Sequence, residues 1–445
     1  MDDKKFHLAT FGCRTNQADS AALRDDFLSQ GYLETLDWRQ ARIIVVNSCT
    51  VTHRADQQVR QLARKFSRGN PGAQIIVTGC YAQRDPQKLA RISGVGAVVG
   101  NTHKHQIVEI AGTELDDGRT LLPQYEDIAR IYRDDFRKVR VLDSTAAKQP
   151  GARTRPFVKI QDGCDSKCSY CIIPLVRGPS RSVPPGQILQ QVQELVQLGF
   201  KEVVLTGIHL GTYGRYLVPR YSLDLLLAGL TEIPGLARIR LSSIEPMELS
   251  RRVIQLAAES DKFAPHFHIC LQSGSDAVLR RMQRPYSISM FEHMVSEIHS
   301  SLPDAAIGTD VIVGFPGETD EDHEQTRAFV QRMPFTYLHV FPYSDRPGTK
   351  ATQLNQKVDP QVRQQRGREL RQISEEKSGA FRRRFLGQRL SVLTLSEHQE
   401  GMRDALSANY LRAQVPAWVP ANQIIDGLVT EELGNTLVIR PIGQL

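Results

Sequence analysis

The sequence predicts an α/β protein in three parts: an N-terminal domain with a parallel sheet, a partial (β/α)6 barrel, and a small all-β barrel at the C-terminus. Between Phe6 and Ile92, short apolar runs alternate with segments of helical spacing. The same alternation resumes at Phe157 and continues to Phe341. From Phe385 onward, short apolar runs are separated only by turn residues. Alternating strands and helices form parallel sheets, whereas successive short strands form sandwiches or barrels.

The length and composition of the chain are those of a globular protein. With 445 residues it is long enough for about three domains. It contains 40% hydrophobic and 24% charged residues, as folded domains commonly do. No apolar run follows Met1–Lys5 as in a signal peptide, and no stretch reaches the roughly 20 apolar residues of a membrane span. We therefore expect a cytoplasmic protein without a membrane partner.

Three cysteines of the N-terminal part each follow an apolar run. The runs and their cysteines are Phe6–Thr10 with Cys13, Arg42–Ser48 with Cys49, and Gln74–Gly79 with Cys80. Parallel sheets bind ligands beyond the carboxyl ends of their strands, so the three cysteines are predicted to converge at one edge. Buried structural thiols are the alternative, because cysteine is common in apolar strands. The repeated position favours a shared metal site.

Three more cysteines stand close together with the spacing C-x3-C-x2-C. They are Cys164, Cys168 and Cys171, within the stretch Asp162–Pro174. Clustered thiolates are ligands for iron–sulfur clusters, zinc or copper(I). Three ligands leave one metal position without a protein ligand, where a substrate or cofactor can bind. The seven cysteines, in a long chain without an export signal, do not resemble a secreted disulfide framework.

Six apolar runs separated by helical segments predict the barrel. The strands are predicted at Phe157–Gln161, Glu202–Thr206, Arg238–Ser243, Phe267–Leu271, Ile307–Val313 and Tyr337–Phe341. Loops rich in Gly, Ser and small polar residues follow several of them, among them Gln272–Ser275 and Gly314–Thr319. Loops at this end of a parallel barrel carry its chemistry, and glycine lets the backbone approach a ligand closely. The loop with three cysteines follows the first strand and is predicted on the same face.

Changes of composition divide the chain. The predicted segments are residues 1–115 for the N-terminal domain, 116–152 for a linker, 153–384 for the barrel and 385–445 for the small β-domain. Between Val362 and Arg389 the chain holds nine Lys/Arg against three Glu. This basic segment is either a solvated helix face or a phosphate-binding stripe. The last part fits a barrel of the oligonucleotide-binding type or a generic small β-domain.

The motifs together resemble the radical S-adenosylmethionine (SAM) enzymes and, within them, the methylthiotransferase branch. The loop from Cys164 to Cys171, with Tyr170 before the last cysteine, resembles the superfamily motif. Further motifs of the branch are Gly12-Cys13 with Asn16, Asn47–Val51, Thr78–Gln83, Arg240–Pro246, His266–Ser275, Gly308–Thr319, His339–Ser344 and Gly348-Thr349. The resemblance covers nearly the whole chain and implies a radical SAM barrel followed by an RNA-binding TRAM barrel. The TRAM pattern keeps Asn409-Tyr410 but lacks the glutamate expected before it.

The resemblance also implies cofactors and the residues that bind them. One [4Fe–4S] cluster, which binds SAM, would be held by Cys164, Cys168 and Cys171, and a second one, which carries the sulfur to be transferred, by Cys13, Cys49 and Cys80. The implied SAM contacts are Ser243, Glu245, Gln272, Gly314 and Pro316. The reaction would be radical methylthiolation at C2 of an adenine base, with an electron donor such as flavodoxin. The seventh cysteine, Cys270, is interpreted as structural.

Within the branch, the sequence is most similar to the enzymes that modify threonylcarbamoyladenosine in the tRNA anticodon loop. The tRNA would be bound by the C-terminal barrel and the segment Arg363–Arg389, because anticodon-loop bases are single-stranded and accessible. The alternatives are isopentenyladenosine in tRNA and an aspartate of a ribosomal protein. A more distant alternative is a zinc-bearing RNA-binding module without catalysis. Structural zinc prefers a fourth protein ligand, and none is suitably spaced.

Overall fold

A computed structural model describes residues 4–116, 128–136 and 153–442. The chain divides into two compact units. The first comprises residues 1–150, 161–183 and 344–352, and the second comprises residues 151–160, 184–343 and 353–445. The loop with the three close cysteines therefore belongs to the same unit as the N-terminal sheet. The predicted segment boundaries stay a prediction, and most of the predicted linker lies outside the described residues.

The N-terminal sheet has six parallel strands in the order β2-β1-β3-β4-β5-β6. The strands are β1 Lys5–Thr10, β2 Leu33–Glu34, β3 Ile43–Ser48, β4 Gln74–Gly79, β5 Val95–Val99 and β6 Arg130–Tyr132. The helices are α1 Arg14–Ser29, α2 His53–Gly69, α3 Cys80–Arg84, α4 Pro86–Ala90 and α5 Ile107–Asp116. The predicted strands β1, β3 and β4 are confirmed. The sequence did not indicate β5, which contains a glycine, or β6, which has three residues and falls in the predicted linker.

Both faces of this sheet are buried, which explains its continuous apolar runs. On β3, Ile44 packs with Phe66 of α2 on one face. Val45 packs with Phe27 of α1 on the other. Successive strand residues point to opposite faces, so a parallel sheet covered by helices on both sides needs apolar residues at every position. The sheet is therefore a rigid support for the residues at its carboxyl edge.

The next segment contributes to both units. It contains β7 Phe157–Lys159, the antiparallel pair β8 Gln161–Asp162 and β9 Arg181–Ser182, and α6 Ile173–Arg177 between β8 and β9. β7 belongs to the second unit, whereas β8, α6 and β9 belong to the first. The three close cysteines lie between β8 and α6.

The second unit contains six parallel strands that form the predicted partial (β/α)6 barrel. After β7, its strands are β10 Glu202–Thr206, β11 Arg238–Leu241, β12 His266–Gln272, β13 Ala306–Val313 and β14 Tyr337–Pro342. Its helices are α7 Pro185–Gln197, α8 Leu223–Thr231, α9 Arg251–Glu259, α10 Asp276–Arg281, α11 Ile288–Ser301 and α12 Asp320–Arg332. The order is β7-β10-β11 and β12-β13-β14, and the bridges Ile239–Phe263 and Ile244–Ile269 connect the two halves. The predicted architecture is confirmed.

A long helix and a closed barrel complete the second unit. They are α13 Pro360–Arg383 and strands β15 Arg389–Gln399, β16 Met402–Ser407, β17 Arg412–Pro416, β18 Ile424–Leu433 and β19 Thr436–Pro441. The strands close in the order β15-β16-β17-β19-β18, so the barrel has no open edge. The predicted small all-β barrel is confirmed. Within the described ranges, no helix has the length and apolar character needed to cross a bilayer.

Candidate active site

Cys13, Cys49 and Cys80 lie at the carboxyl ends of three adjacent strands, β1, β3 and β4. Cys49 and Cys80 are buried, and Cys13 is exposed. Burial, together with the nearby thiolate charges of Cys80 and Cys13, raises the pKa of the Cys49 thiol to about 12. A thiol in such surroundings stays protonated at neutral pH unless a metal replaces the proton. The three thiols therefore converge at one edge of the sheet, in a form suited to binding metal.

Two glycines allow neighbouring segments to approach Ser48 and Cys49 closely. Gly12 has a φ of +98°, and a Cβ at this position would lie 2.9 Å from the Sγ of Cys49. Gly79 has a φ of +95°, and a Cβ there would collide with the carbonyl oxygen of Ser48. Only glycine adopts this backbone conformation without strain. The glycines that precede Cys13 and Cys80 are thus explained by close approach at the sheet edge.

Arg177 connects the two cysteine-bearing segments. Its Nε donates a hydrogen bond to the Sγ of Cys80 at 3.3 Å. Its Nη1 donates to both carboxylate oxygens of Asp162, at 3.1 and 2.9 Å. Asp162 precedes Cys164 in β8, and Arg177 follows Cys171 at the end of α6. One guanidinium therefore contacts a thiol of the first group and the strand that leads into the second.

The charge of Arg177 is balanced inside the protein. The side chain is 1% exposed, so water cannot solvate it. Its Nη2 donates to Asp19 at 3.0 Å and also to Asn16. Burial alone would lower the pKa of Arg177, but Asp162, Cys80 and Asp19 hold it well above its usual range. Arg177 is therefore a permanent cation beside Cys80.

The loop from Cys164 to Cys171 lies next to Cys80. The amide of Cys171 donates to the carbonyl of Cys168 at 3.1 Å, which closes the end of the loop. Directly after it, Ile172 and Val176 pack with Cys80 in one buried cluster. The structure thus brings the two groups of three cysteines together in one compact unit, although they are far apart in the sequence.

Neither group of cysteines is spaced for a single metal ion. Both groups lie within the described ranges, and in neither one are all three sulfur atoms within 4.8 Å of one another. Three thiolates on one zinc ion would be about 3.8 Å apart. A [4Fe–4S] cluster binds each thiolate at a different iron and holds its ligands farther apart. Asn101 Nδ2 lies 3.7 Å from the Sγ of Cys80, as a hydrogen-bond donor to a cluster ligand would. The donor sets fit iron–sulfur clusters.

A second buried arginine, which the sequence did not single out, holds the segment after Cys49. Arg346 donates to Asp56 at 2.8 Å and to the carbonyl of Thr50 at 3.2 Å. The Thr50 hydroxyl donates to the same carboxylate at 2.6 Å. Arg346 stands two residues before the Gly348-Thr349 motif, but nothing in the sequence there indicated a partner nearly three hundred residues away.

The candidate SAM residues lie at or beyond the carboxyl ends of β11, β12 and β13. Gln272 ends β12 with a φ of +68°. Gly314 follows β13 with a φ of +71°, and its amide donates to Glu318 at 3.0 Å. Pro316 is buried in the same turn. Gln272 and Gly314 thus lie in tight turns at the carboxyl ends of the barrel strands. In parallel barrels this end carries the chemistry.

Ser243 and Glu245 already have protein partners. The Ser243 hydroxyl lies 2.8 Å from Nδ1 of His268. The two carboxylate oxygens of Glu245 bind the guanidinium of Arg284, which is 3% exposed. Sequence reasoning did not identify Arg284. The assignment of SAM contacts to these side chains stays a prediction.

The basic segment is divided between structural and exposed side chains. Five of its nine cations contact other parts of the fold. Arg363 donates to the Tyr343 carbonyl, Arg366 pairs with Glu318 and Asp320, and Lys377 donates to the Gln331 and Met333 carbonyls. Arg382 pairs with Glu432, and Arg384 pairs with Asp304. The other four, Arg368, Arg371, Arg383 and Arg389, are exposed. The segment is therefore not one continuous stripe, and these four are its candidates for binding phosphate.

The Asn-Tyr pair of the last barrel has a structural explanation. Asn409 is 4% exposed, and its side chain donates to the carbonyl of Asp304 at 3.1 Å. Tyr410 has a φ of +68° and stacks on His266 at 4.1 Å between ring centroids. These two residues attach the turn after β16 to the (β/α)6 barrel.

Comparisons with known proteins agree with this geometry. Residues 5–100 match the family described as "Uncharacterized protein family UPF0004", and residues 158–330 match the radical SAM superfamily. The threonylcarbamoyladenosine tRNA methylthiotransferase MtaB of Aquifex aeolicus is 38% identical over 96% of this chain and 100% of that protein. The MtaB of Bacillus subtilis is 37% identical over 91% of this chain and 87% of that protein. A tRNA-2-methylthio-N(6)-dimethylallyladenosine synthase of Parafrankia is 34% identical over 91% of this chain and 80% of that protein.

A solved structure also shares the fold. The radical S-adenosylmethionine methyltransferase TsrM of Kitasatospora setae, with cobalamin and a [4Fe-4S] cluster bound, matches with a TM-score of 0.55 and 14% identity. The match covers 76% of this chain and 75% of that one. At this identity it shows the fold alone.

Proposed function

We propose a specific substrate for this chain, which belongs to the radical SAM tRNA methylthiotransferases. It converts N6-threonylcarbamoyladenosine next to the tRNA anticodon to its 2-methylthio derivative. The observation that carries the proposal is the adjacency of two groups of three cysteines in one compact unit, where Ile172 packs against Cys80. Radical generation needs one such group. Insertion of sulfur needs a second group, which holds the cluster that supplies the sulfur.

Two [4Fe–4S] clusters and SAM are the cofactors of this family. We assign the SAM-binding cluster to Cys164, Cys168 and Cys171, and the second cluster to Cys13, Cys49 and Cys80. When bound, these groups supply the one-electron chemistry and the sulfur needed to replace hydrogen on an unactivated carbon atom. In this assignment each group of cysteines leaves one position open for the reacting molecule.

The chain's own residues position these groups and control their charge. Arg177 places a permanent cation beside Cys80 and so offsets the negative charge of a thiolate there. Cys49 and Cys80 are buried, whereas Cys13 is exposed, so the second site is shielded from water on the side of Cys49 and Cys80 only. Gly12 keeps the space beside Cys49 free of a side chain, and Gly79 does the same beside the Ser48 backbone.

The remaining contacts to SAM, and the binding of tRNA, are assigned to residues of the second unit by position. The loops that contain Ser243, Glu245, Gln272, Gly314 and Pro316 would contact SAM. The exposed arginines of α13, together with the C-terminal barrel, would bind the tRNA backbone, and this binding should weaken as salt rises. We propose flavodoxin as the electron donor and the cytoplasm as the location of the reaction.

The test is incubation of the reconstituted enzyme with SAM, a reductant and tRNA that carries threonylcarbamoyladenosine. Mass spectrometry of the digested tRNA should show this nucleoside heavier by one methylthio group in place of hydrogen. A parallel reaction uses tRNA that carries isopentenyladenosine, because relatives named for that substrate class match almost as well. A methylthio product on isopentenyladenosine alone would reassign the substrate, and no product on either tRNA would refute the proposed reaction.

A further inference from the structure

Three side chains with metal-ligating atoms meet on adjacent strands of the (β/α)6 barrel. They are His268 on β12, Asp310 on β13 and His339 on β14. One ligand atom of each lies within 4.8 Å of the other two, and no other group of this kind exists in the described part of the chain. Asp310 and His339 are direct partners in the parallel register, so the backbone itself places them together.

The two distances to Asp310 match those between neighbouring ligands of one ion. Oδ1 of Asp310 lies 3.2 Å from Nε2 of His268 and 3.3 Å from Nδ1 of His339. In tetrahedral zinc sites the ligand atoms are about 2.0–2.1 Å from the metal, which puts neighbouring ligands about 3.3 Å apart. The two imidazoles converge on the same carboxylate oxygen. The two imidazole nitrogens lie within 4.8 Å of each other, so an ion bound among the three atoms would bring them to the distance of neighbouring ligands.

An ion pair with Asp310 does not fully account for His268. Nε2 of His268 is buried and has no hydrogen-bond partner among the described residues, although Oδ1 of Asp310 is only 3.2 Å away. The nitrogen is therefore not aimed at that oxygen.

Neighbouring groups hold the ligands in place. The Ser243 hydroxyl lies 2.8 Å from Nδ1 of His268, which leaves Nε2 as the ligating atom. The Sγ of Cys270 donates to Oδ2 of Asp310 at 3.7 Å, which leaves Oδ1 for an ion. Partners of this kind are typical of metal ligands, because they fix the ring tautomer and the carboxylate orientation. They also give Cys270 a specific role beyond filling the core.

The site is open on one side. The side chains of His268, Asp310 and His339 are 6%, 22% and 56% exposed, so the group extends from the barrel interior to the surface. Three protein ligands and an accessible fourth position are the pattern of catalytic zinc sites rather than structural ones. Two imidazoles and one carboxylate favour a transition metal over magnesium or calcium, which prefer oxygen ligands alone.

We infer that His268, Asp310 and His339 bind one divalent transition-metal ion of the zinc class, with the fourth position open to water or another oxygen ligand. Its ligands include none of the six cysteines, and the inference does not depend on the proposed reaction. Ser243 and Cys270 are its positioning residues.

The inference is tested with Zn2+ on the holoenzyme, without SAM or tRNA. Both iron–sulfur clusters are first reconstituted and the iron content measured, so that the six cysteines are occupied. The protein is equilibrated with Zn2+, passed through a desalting column and analysed for zinc by mass spectrometry, and the affinity is measured by competition with a zinc indicator. We expect one zinc per chain, lost in His339→Ala and in Asp310→Asn. Ser243→Ala should weaken zinc binding about 10–100-fold, as loss of a group that orients a ligand commonly does.

The matched control is His398→Ala, which removes an exposed histidine far from this group in the sequence. It should keep the zinc. Circular dichroism and iron content show whether each variant is folded. If Asp310→Asn is unstable because Asp310 is partly buried, His339→Ala gives the decisive result, since His339 is exposed. Equal zinc binding by the His339→Ala and His398→Ala proteins, or no zinc retained by the unsubstituted holoenzyme, would overturn the inference.

Discussion

Nε of Arg177 donates a hydrogen bond to Sγ of Cys80 at 3.3 Å, and the same guanidinium binds Asp162 at the start of the segment that carries the other three cysteines. A buried cation is costly unless it is paired, and two carboxylates pair it here. The arginine thus supplies positive charge to one cysteine group while it is anchored to the strand that leads to the other.

The first prediction concerns the reduction potential of the cluster assigned to Cys80. A charged donor to the sulfur stabilises the more negative, reduced state of the cluster, and Arg177→Gln removes that donor. A charge-assisted hydrogen bond contributes about 1.5 kcal/mol, which corresponds to a shift on the order of 60 mV to lower potential for one electron. The measurement is a redox titration followed by electron paramagnetic resonance, with Cys164, Cys168 and Cys171 replaced by alanine so that one cluster gives the signal.

Arg177→Lys is the matched variant, because it keeps the charge but loses the planar fork. Its potential should fall between those of the unsubstituted protein and Arg177→Gln. Identical potentials in all three proteins would mean that Arg177 only supports the fold.

The second prediction concerns the space beside Cys49. Gly12→Ala puts a Cβ 2.9 Å from the Sγ of Cys49 on a backbone with positive φ. We expect this variant to lose the iron of one cluster and to keep the SAM-cleaving activity of the other. Gly31→Ala is the control, because Gly31 also has a positive φ but a methyl group added there would meet no atom within 4 Å. Iron content and optical spectra distinguish the two, and equal iron loss in both would attribute the effect to backbone strain alone.

Much of the fold could be predicted because its strands are continuous apolar runs. β3, β4 and β10–β14 stand out in the sequence, and the rule that ligands bind at the carboxyl ends of parallel strands led from them to the convergence of Cys13, Cys49 and Cys80. Short elements such as β6 carry too few residues to show a period. The small barrel was recognisable from its strand spacing, although β16 was not identified.

The contacts between distant segments could not be predicted. Nothing in the sequence around Arg177 indicates that its partner is Cys80, because that contact depends on how α6 packs against α3. The same holds for Arg346 and Asp56. The basic segment shows the opposite error: its charge was visible in the sequence, but the pairing of residues such as Arg366 with Glu318 was not.

The third prediction concerns tRNA binding by the exposed arginines of α13. Arg371→Ala should weaken tRNA binding and reduce the slope of log affinity against log salt by about 0.7–0.9, as expected for one lost phosphate contact. Gln372→Ala, at the neighbouring exposed position, is the control. Filter binding at several salt concentrations measures both. If the slope is the same in the two variants, Arg371 does not contact phosphate.

The fourth prediction concerns the stability of the first unit. Arg346→Ala leaves the carboxylate of Asp56 buried with one cation fewer, and we expect a loss of about 3 kcal/mol in the free energy of unfolding. Arg54→Ala, which removes an exposed arginine from α2, should change it by less than about 0.5 kcal/mol. Urea unfolding measures the difference, and equal stability of the two variants would contradict a structural role for Arg346.

One assay that follows both 5′-deoxyadenosine and the modified nucleoside separates the tasks of the two groups of cysteines. Cys49→Ala should still cleave SAM but make no methylthio-threonylcarbamoyladenosine, whereas Cys168→Ala should do neither. Normal methylthio product from Cys49→Ala, or continued 5′-deoxyadenosine formation by Cys168→Ala, would contradict the assignment of two clusters with separate tasks.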